Sequence, residues 1–351
     1  MSADFDCIVV GAGLSGLTAS RSLQSAGLST LVIESSDRPG GRVKSDIIDG
    51  YTLDHGFQVI NRGYPNIKRS GILDELRLTP MVDGAIPFRI SGGVHKLSDL
   101  STPFLRGVFL TEPKKVSARI RFEIYKSFLQ GRPGFVDGGV SAFSDALARP
   151  VADIHYGETV HSIESGVVQT DHARYSAEHI VVATDAVTAN QLVASLEVTP
   201  MISSTTWYHV SDSHIGGAGR FTVCSTGNVI NTFAISDRVP SYAPHGKQLF
   251  SSTTLQVTSE SEVRRELSKI WKTDTSRWEL IARYEIKKSL PVHPSRKPLY
   301  SQFEIEPGLF VIGDHRAYPS QQGAMESGRK VARVIIERAL RARSQGADNQ
   351  R

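Results

Sequence analysis

Three glycines at fixed spacing carry the first sign of chemistry in this chain. Gly11, Gly13 and Gly16 form G-x-G-x-x-G between an apolar run, residues 7–10, and a stretch in which Leu17, Leu23 and Ala26 recur at roughly helical spacing. The first glycine of such a loop allows a tight turn, the second lets backbone approach a pyrophosphate, and the third lets helix pack on strand. Leu14 and Ser15 fall in the first helical turn, where unpartnered N–H groups and partial positive charge favour an anion. Glu34, followed by Ser35, ends a second apolar run, residues 30–33. A carboxylate there accepts ribose hydroxyl protons and repels a 2′-phosphate, which disfavours NADP. Strand, loop, helix, strand and acid are in register, so residues 4–34 read as a βαβ dinucleotide unit.

Gly40, Gly41 and Arg42 follow, with Ser45 beyond them. Paired glycines permit close backbone approach, and an arginine offsets diphosphate charge with forked hydrogen bonds. With this segment the chain resembles the FAD-dependent amine oxidase and isoprenoid (phytoene) desaturase superfamily, in a compact soluble form. The superfamily pattern is an acid, five residues, Gly-Gly-Arg, two residues, then Ser or Thr. The resemblance implies bound FAD, with Gly40, Gly41 and Arg42 along its diphosphate and ribityl chain. It also implies that Gly56, Phe57 and Gln58 pass the flavin's reactive edge and that the backbone of Val160 meets the adenine. The strand ending at Thr184 should approach the dinucleotide.

A second grip is expected near the C-terminus. Residues 309–312 form an apolar run ended by Gly313 and Asp314, and the resemblance assigns the acid to the ribityl chain. Beyond Gly323, Met325, Gly328, Ala332, Ile335 and Ala339 recur at spacings of three and four, one helical face. Ala324 and Met325 then sit in a first turn, with N–H groups suited to the negative charge of a reduced flavin near its N1 and C2 carbonyl. Two helix starts far apart in sequence are thus expected to hold opposite ends of one FAD. Neither Cys7 nor Cys224 lies in a segment expected to face the flavin ring, so the cofactor should be noncovalent.

The elements that must position these residues imply an α/β chain. A Rossmann-like FAD-binding domain is expected from residues 1–64, 137–199 and 286–342, interrupted by a β-meander at 160–163, 167–169 and 180–182. A second, discontinuous sheet-plus-helix substrate domain is expected from 65–136 and 200–285, and the resemblance places it over the flavin. Residues 343–351 are polar and read as a disordered tail. Val116, Ile120, Ile124 and Phe128 recur every four residues in a basic stretch. Such a helix suits a peripheral membrane contact or an acidic partner, although packing on its own domain is the favoured reading. Tyr284, Lys287 and Pro291 are candidates for the substrate pocket, and Trp207 and Tyr318 are candidate aromatics. No catalytic base stands out.

Composition narrows the function classes. Of 351 residues 40% are apolar, and 40 basic residues nearly balance 36 acidic ones, which gives no case for nucleic acid. The scattered histidines and two cysteines show no metal-ligand spacing, so no metal is expected. No stretch of about 18 apolar residues occurs, and the N-terminus reads as a first strand, so the chain should be cytoplasmic with no transmembrane segment. The expected partner is a small-molecule substrate, a small amine or an isoprenoid-like molecule that gives a hydride to flavin N5. The alternatives are a non-redox flavoenzyme, such as a mutase or isomerase, and a catalytically inactive FAD-binding partner protein.

Overall fold

The computed structural model describes residues 3–56, 59–81, 89–91, 101–294 and 296–348. These divide into two compact units, Met1–Gly41 with Ser144–Pro200 and Pro298–Arg351, and Arg42–Phe143 with Met201–Lys297.

An eight-stranded sheet is the centre of the first unit. Five of its strands run parallel in the order Leu309–Val311, Arg174–Val182, Phe5–Val10, Thr30–Glu34, Ile154–Tyr156. All five residues of Thr30–Glu34 are buried, and so are the last four of Phe5–Val10. Parallel strands covered on both faces read as continuous apolar runs, which is why both were visible in the sequence. Between them lies the Leu14–Ser25 helix, and Gly27 beyond its end adopts the left-handed conformation, φ 75°.

The meander expected in the middle of the chain is present. Val160–Glu164 and Val167–Thr170 pair antiparallel around Ser165 and Gly166, both with positive φ, 48° and 79°. That is the two-residue hairpin turn which matches strand twist. Arg174–Val182 takes part in both patterns. Its first half pairs with the meander, and its last residues lie between Phe5–Val10 and Leu309–Val311. Accordingly its burial changes from patchy to continuous at Ile180. The C-terminal helix spans Gln321–Asp348 and so runs past residue 343, where a disordered tail was expected. No proline interrupts residues 343–348, so the helix begun at Gln321 continues through them.

The second unit is built on a six-stranded sheet in the order Glu279–Pro291, Met201–Ser211, Gln248–Thr254, Val229–Ala234, Thr222–Cys224, Arg89–Ser91. Its pairings are antiparallel except the last. Ser259 and Glu262 form a capping box that starts the Glu260–Trp271 helix, and Val263, Leu267 and Trp271 bury its inner face against Trp207 and Phe250. In the basic stretch, the helix spans Ala118–Gly131, with Ile120 and Ile124 inward and Phe128 edge-on to Phe104 at 5.0 Å. Val116 lies before that helix and bridges to Pro294. Residues 42–64, 137–143 and 286–297, grouped above with the cofactor segments, pack within this second unit.

Candidate functional site

The glycine loop is shaped by backbone contact. Gly11 has φ 107°, and a Cβ there would meet the Ala183 carbonyl oxygen at 3.1 Å. A Cβ on Gly16 would come within 2.0 Å of the Gly11 oxygen, so no other residue fits. Gly13 caps the Leu14–Ser25 helix without any side-chain hydrogen bond, and beyond its own chain neighbours nothing lies within 4 Å of where its Cβ would stand. Gly40 donates to the Ala12 carbonyl at 2.9 Å, and Gly41, with φ 60°, would bring a Cβ within 3.5 Å of Gly13 Cα. Leu14, Ser15 and Gly16 start the helix beside this pair. The result is a cradle of backbone without side chains at a helix N-terminus, and it fits a diphosphate on charge and on shape.

Glu34 is pinned beside that cradle. Its Oε2 accepts from the Ala12 N–H at 2.7 Å, and its Oε1 accepts from the Ser36 N–H and hydroxyl at 2.9 and 2.7 Å. Each carboxylate oxygen has two acceptor positions, so the orientation is fixed while capacity for a ribose hydroxyl remains. Ser35 is exposed, and Ser36 is the serine that positions the acid, a role the sequence alone did not reveal. Thr184 follows Ala183 at the loop, its N–H nitrogen 3.5 Å from the position of a Gly11 Cβ. Val160 is 9% exposed and pairs with Thr170.

Just past the Leu309–Val311 strand and beside Thr184, Gly313 has φ 141° and donates its N–H to Ser327 Oγ at 2.9 Å. Asp314 is buried next to it. The helix begins two residues before Gly323, because Ser320 Oγ accepts from the Gly323 N–H at 3.0 Å. The Ala324 N–H is therefore paired with the Ser320 carbonyl at 3.0 Å, and Met325 lies a full turn in with its side chain buried. The expectation that Ala324 and Met325 present free first-turn donors is corrected on that ground. The convergence of the two helices holds: a Cβ on Gly328 would come within 2.2 Å of the Ser15 carbonyl oxygen. The C-terminal helix crosses the first turn of the Leu14–Ser25 helix at backbone contact.

The second unit contains the remaining site residues. Arg42 Nη1 donates to the Ser289 carbonyl at 2.8 Å. Gly56 has φ 96°, and Phe57 and Gln58 lie outside the described residues. Ser45, the last member of the glycine-arginine pattern, donates to Asp54 Oδ1 at 2.6 Å. Asp54 also accepts from the Val140 N–H at 3.0 Å and the Tyr242 hydroxyl at 2.9 Å, and burial holds its carboxyl above the usual range.

Next to this network lies a cluster that sequence reasoning missed. Asp46 Oδ2 accepts from the Tyr284 hydroxyl at 2.9 Å and lies 2.7 Å from His55 Nε2. The His55 and Tyr284 rings lie against each other with centroids 4.3 Å apart and planes tilted by 34°. Asp46 and His55 are partly exposed, at 29% and 20%, unlike a satisfied core network. A carboxylate between an imidazole and a phenol can hold a cation and pass a proton. Of the other candidates, Trp207 belongs to the core, with its indole N–H on Thr254 Oγ1, and Tyr318 meets Tyr300 edge to face. Among the described residues no group of His, Cys, Asp and Glu could hold a metal ion, and no helix is long and apolar enough to cross a membrane.

Loop, acid and glycine pair define a dinucleotide-binding fold of the flavoprotein type. The chain belongs to the family described as flavin containing amine oxidoreductase, matched over residues 87–336, and residues 9–76 match the NAD(P)-binding Rossmann-like domain. It is thus a member of an FAD-dependent oxidoreductase family, and its cofactor is FAD. It is 34% identical to an L-amino acid dehydrogenase of Synechocystis sp. over 33% of this chain and 24% of that one. To putrescine oxidase of Kocuria rosea it is 42% identical over 21% of this chain and 15% of that one. The matches thus span less than a quarter of these relatives' length. In fold it is similar to cyclohexylamine oxidase of Brevibacterium oxydans, with a TM-score of 0.72, 16% identity, and coverage of 96% of this chain and 100% of that one.

Proposed function

We propose that this chain oxidises a small amine. FAD, when bound, supplies the hydride acceptor at its N5. The observation that carries the reading is the cluster of Asp46, His55 and Tyr284. A carboxylate flanked by two aromatic rings favours an ammonium group. An isoprenoid-like chain offers that carboxylate nothing, and covering it with hydrocarbon would cost free energy. Asp46 holds the substrate cation, and His55 takes the proton that the amine sheds. The ammonium sheds one proton, the neutral amine then gives up a hydride, and the product leaves as an iminium ion, which water hydrolyses. The names of the relatives, a putrescine oxidase and an amino acid dehydrogenase among them, support an amine and do not favour a non-redox or inactive protein.

In this reading Gly11, Gly13, Gly16, Gly40 and Gly41 hold the diphosphate, Glu34 the ribose, Val160 and Thr184 the adenosine side, and Gly313, Asp314 and Gly323 the flavin side. The unit containing them is the cofactor domain, and the second unit binds substrate. Both cysteines are buried and neither is in a disulfide, which fits a noncovalent cofactor and the reducing cytoplasm. The test is anaerobic mixing of the FAD-loaded protein with amines and with polyenes while flavin absorbance is followed. Amines should bleach the flavin. Bleaching by polyenes alone, or by neither class, would overturn the proposal.

A further inference from the structure

We propose that the outward face of the Ala118–Gly131 helix docks this protein on a membrane surface rich in anionic lipid. The helix has an inner face that is satisfied: Ile120 and Ile124 are each 2% exposed. Its outer face is not that of an ordinary solvated helix. Phe122 is 63% exposed and Tyr125 41%. Among the described residues Phe122 is the only exposed phenylalanine. Arg119 and Tyr125 are three residues from it on either side and Lys126 is four beyond, so all share its face. Lys114 and Lys115, in the turn just before the helix, are exposed as well. From residue 113 to 127 the exposed charges are Lys114, Lys115, Arg119 and Lys126 against Glu123 alone.

An aromatic side chain ringed by cations is complementary to the headgroup boundary of a bilayer. The ring enters the apolar edge while the cations stay level with the phosphates. An acidic protein surface would also attract the cations, but it would need a matching pocket for Phe122. A bilayer accepts the ring anywhere. Docking would be peripheral, since no described helix can cross a membrane. One short face and a few basic residues give weak, reversible attachment that salt screens.

The test uses the FAD-loaded full chain in co-sedimentation with vesicles of phosphatidylcholine alone or mixed with phosphatidylserine. Binding should require phosphatidylserine and disappear on raising the salt concentration. Phe122→Ser should weaken it about tenfold, the loss expected when one large side chain no longer leaves water. Arg119→Glu with Lys126→Glu should abolish it. Both variants should keep the flavin spectrum and thermal midpoint of the parent, which separates docking from folding. Equal binding to both vesicle types, no binding at low salt, or undiminished binding by Phe122→Ser would each overturn the proposal. None of these outcomes depends on the amine substrate.

Discussion

Gly328 stands against the carbonyl oxygen of Ser15, so close that a Cβ at Gly328 would lie 2.2 Å from it. That contact ties the helix after the glycine loop to the helix at the far end of the chain. Valine at position 328 must push the two helices apart. The expected cost is about 1–3 kcal/mol of stability, as for other overpacked contacts. A loss of retained FAD should accompany it, measured by visible absorbance after gel filtration and by thermal unfolding.

Glu34→Ala tests the pinned acid. The substitution leaves the Ala12 N–H without the acceptor it has at 2.7 Å and removes the anion beside the ribose site. FAD affinity should fall by about tenfold or more, since an orphaned donor alone costs about 1–3 kcal/mol. Fluorescence titration of the apoprotein with FAD would show it. Ser36→Ala should do the same more weakly, because one of the bonds orienting the acid is lost.

Asp46→Asn should raise KM for the amine about tenfold or more, with a smaller change in kcat, because a charge-assisted contact is worth about 1.5–3 kcal/mol. Tyr284→Phe removes only one hydrogen bond to Asp46, so its effect should be smaller. Steady-state kinetics over a range of amine concentrations separates the two constants.

His209 gives a pH dependence of folding with a defined sign. Its side chain is fully buried, and desolvation first, then the nearby Arg264 charge, lower its pKa to about 4 against the pull of Glu260. A base with a depressed folded-state pKa contributes stability above its unfolded value of about 6.5. That contribution is lost as pH falls towards about 4. Over this window the unfolded chain binds the proton that the native one refuses, and stability should drop by about 1.4 kcal/mol per pH unit. Denaturant unfolding of the parent and of His209→Gln between these pH values should show a flatter profile for the variant.

Much of the first unit was legible because its signals are local. The apolar runs, the glycine loop, the Ser165-Gly166 turn and the acid ending the second strand lie next to the elements they shape. The C-terminal helix starts two residues before Gly323 because the boundary is set by the Ser320 hydroxyl and not by the glycine. The cluster around Asp46 had no local signal at all. Asp46 and Tyr284 are 238 residues apart and meet only because the hairpin of Ser45–Ile48 and Tyr51–Asp54 lies against the Glu279–Pro291 strand. In the sequence His55 belongs to one of three Asp-His pairs, at 54–55, 171–172 and 314–315, and nothing in the spacing distinguishes it from the others.

The double role of Arg174–Val182 fixes how this fold tolerates changes in length. Ile180 pairs with Ile8 on one side and Leu309 on the other. One residue inserted ahead of Ala177 would put His179 in that place and reverse every side chain after it. The hairpin tip at Ser165 and Gly166 meets that strand on one side only, through the Ala177 N–H on the Gly166 carbonyl at 2.9 Å. A change of length that leaves the sheet intact is therefore expected at the tip, while the strand keeps its count.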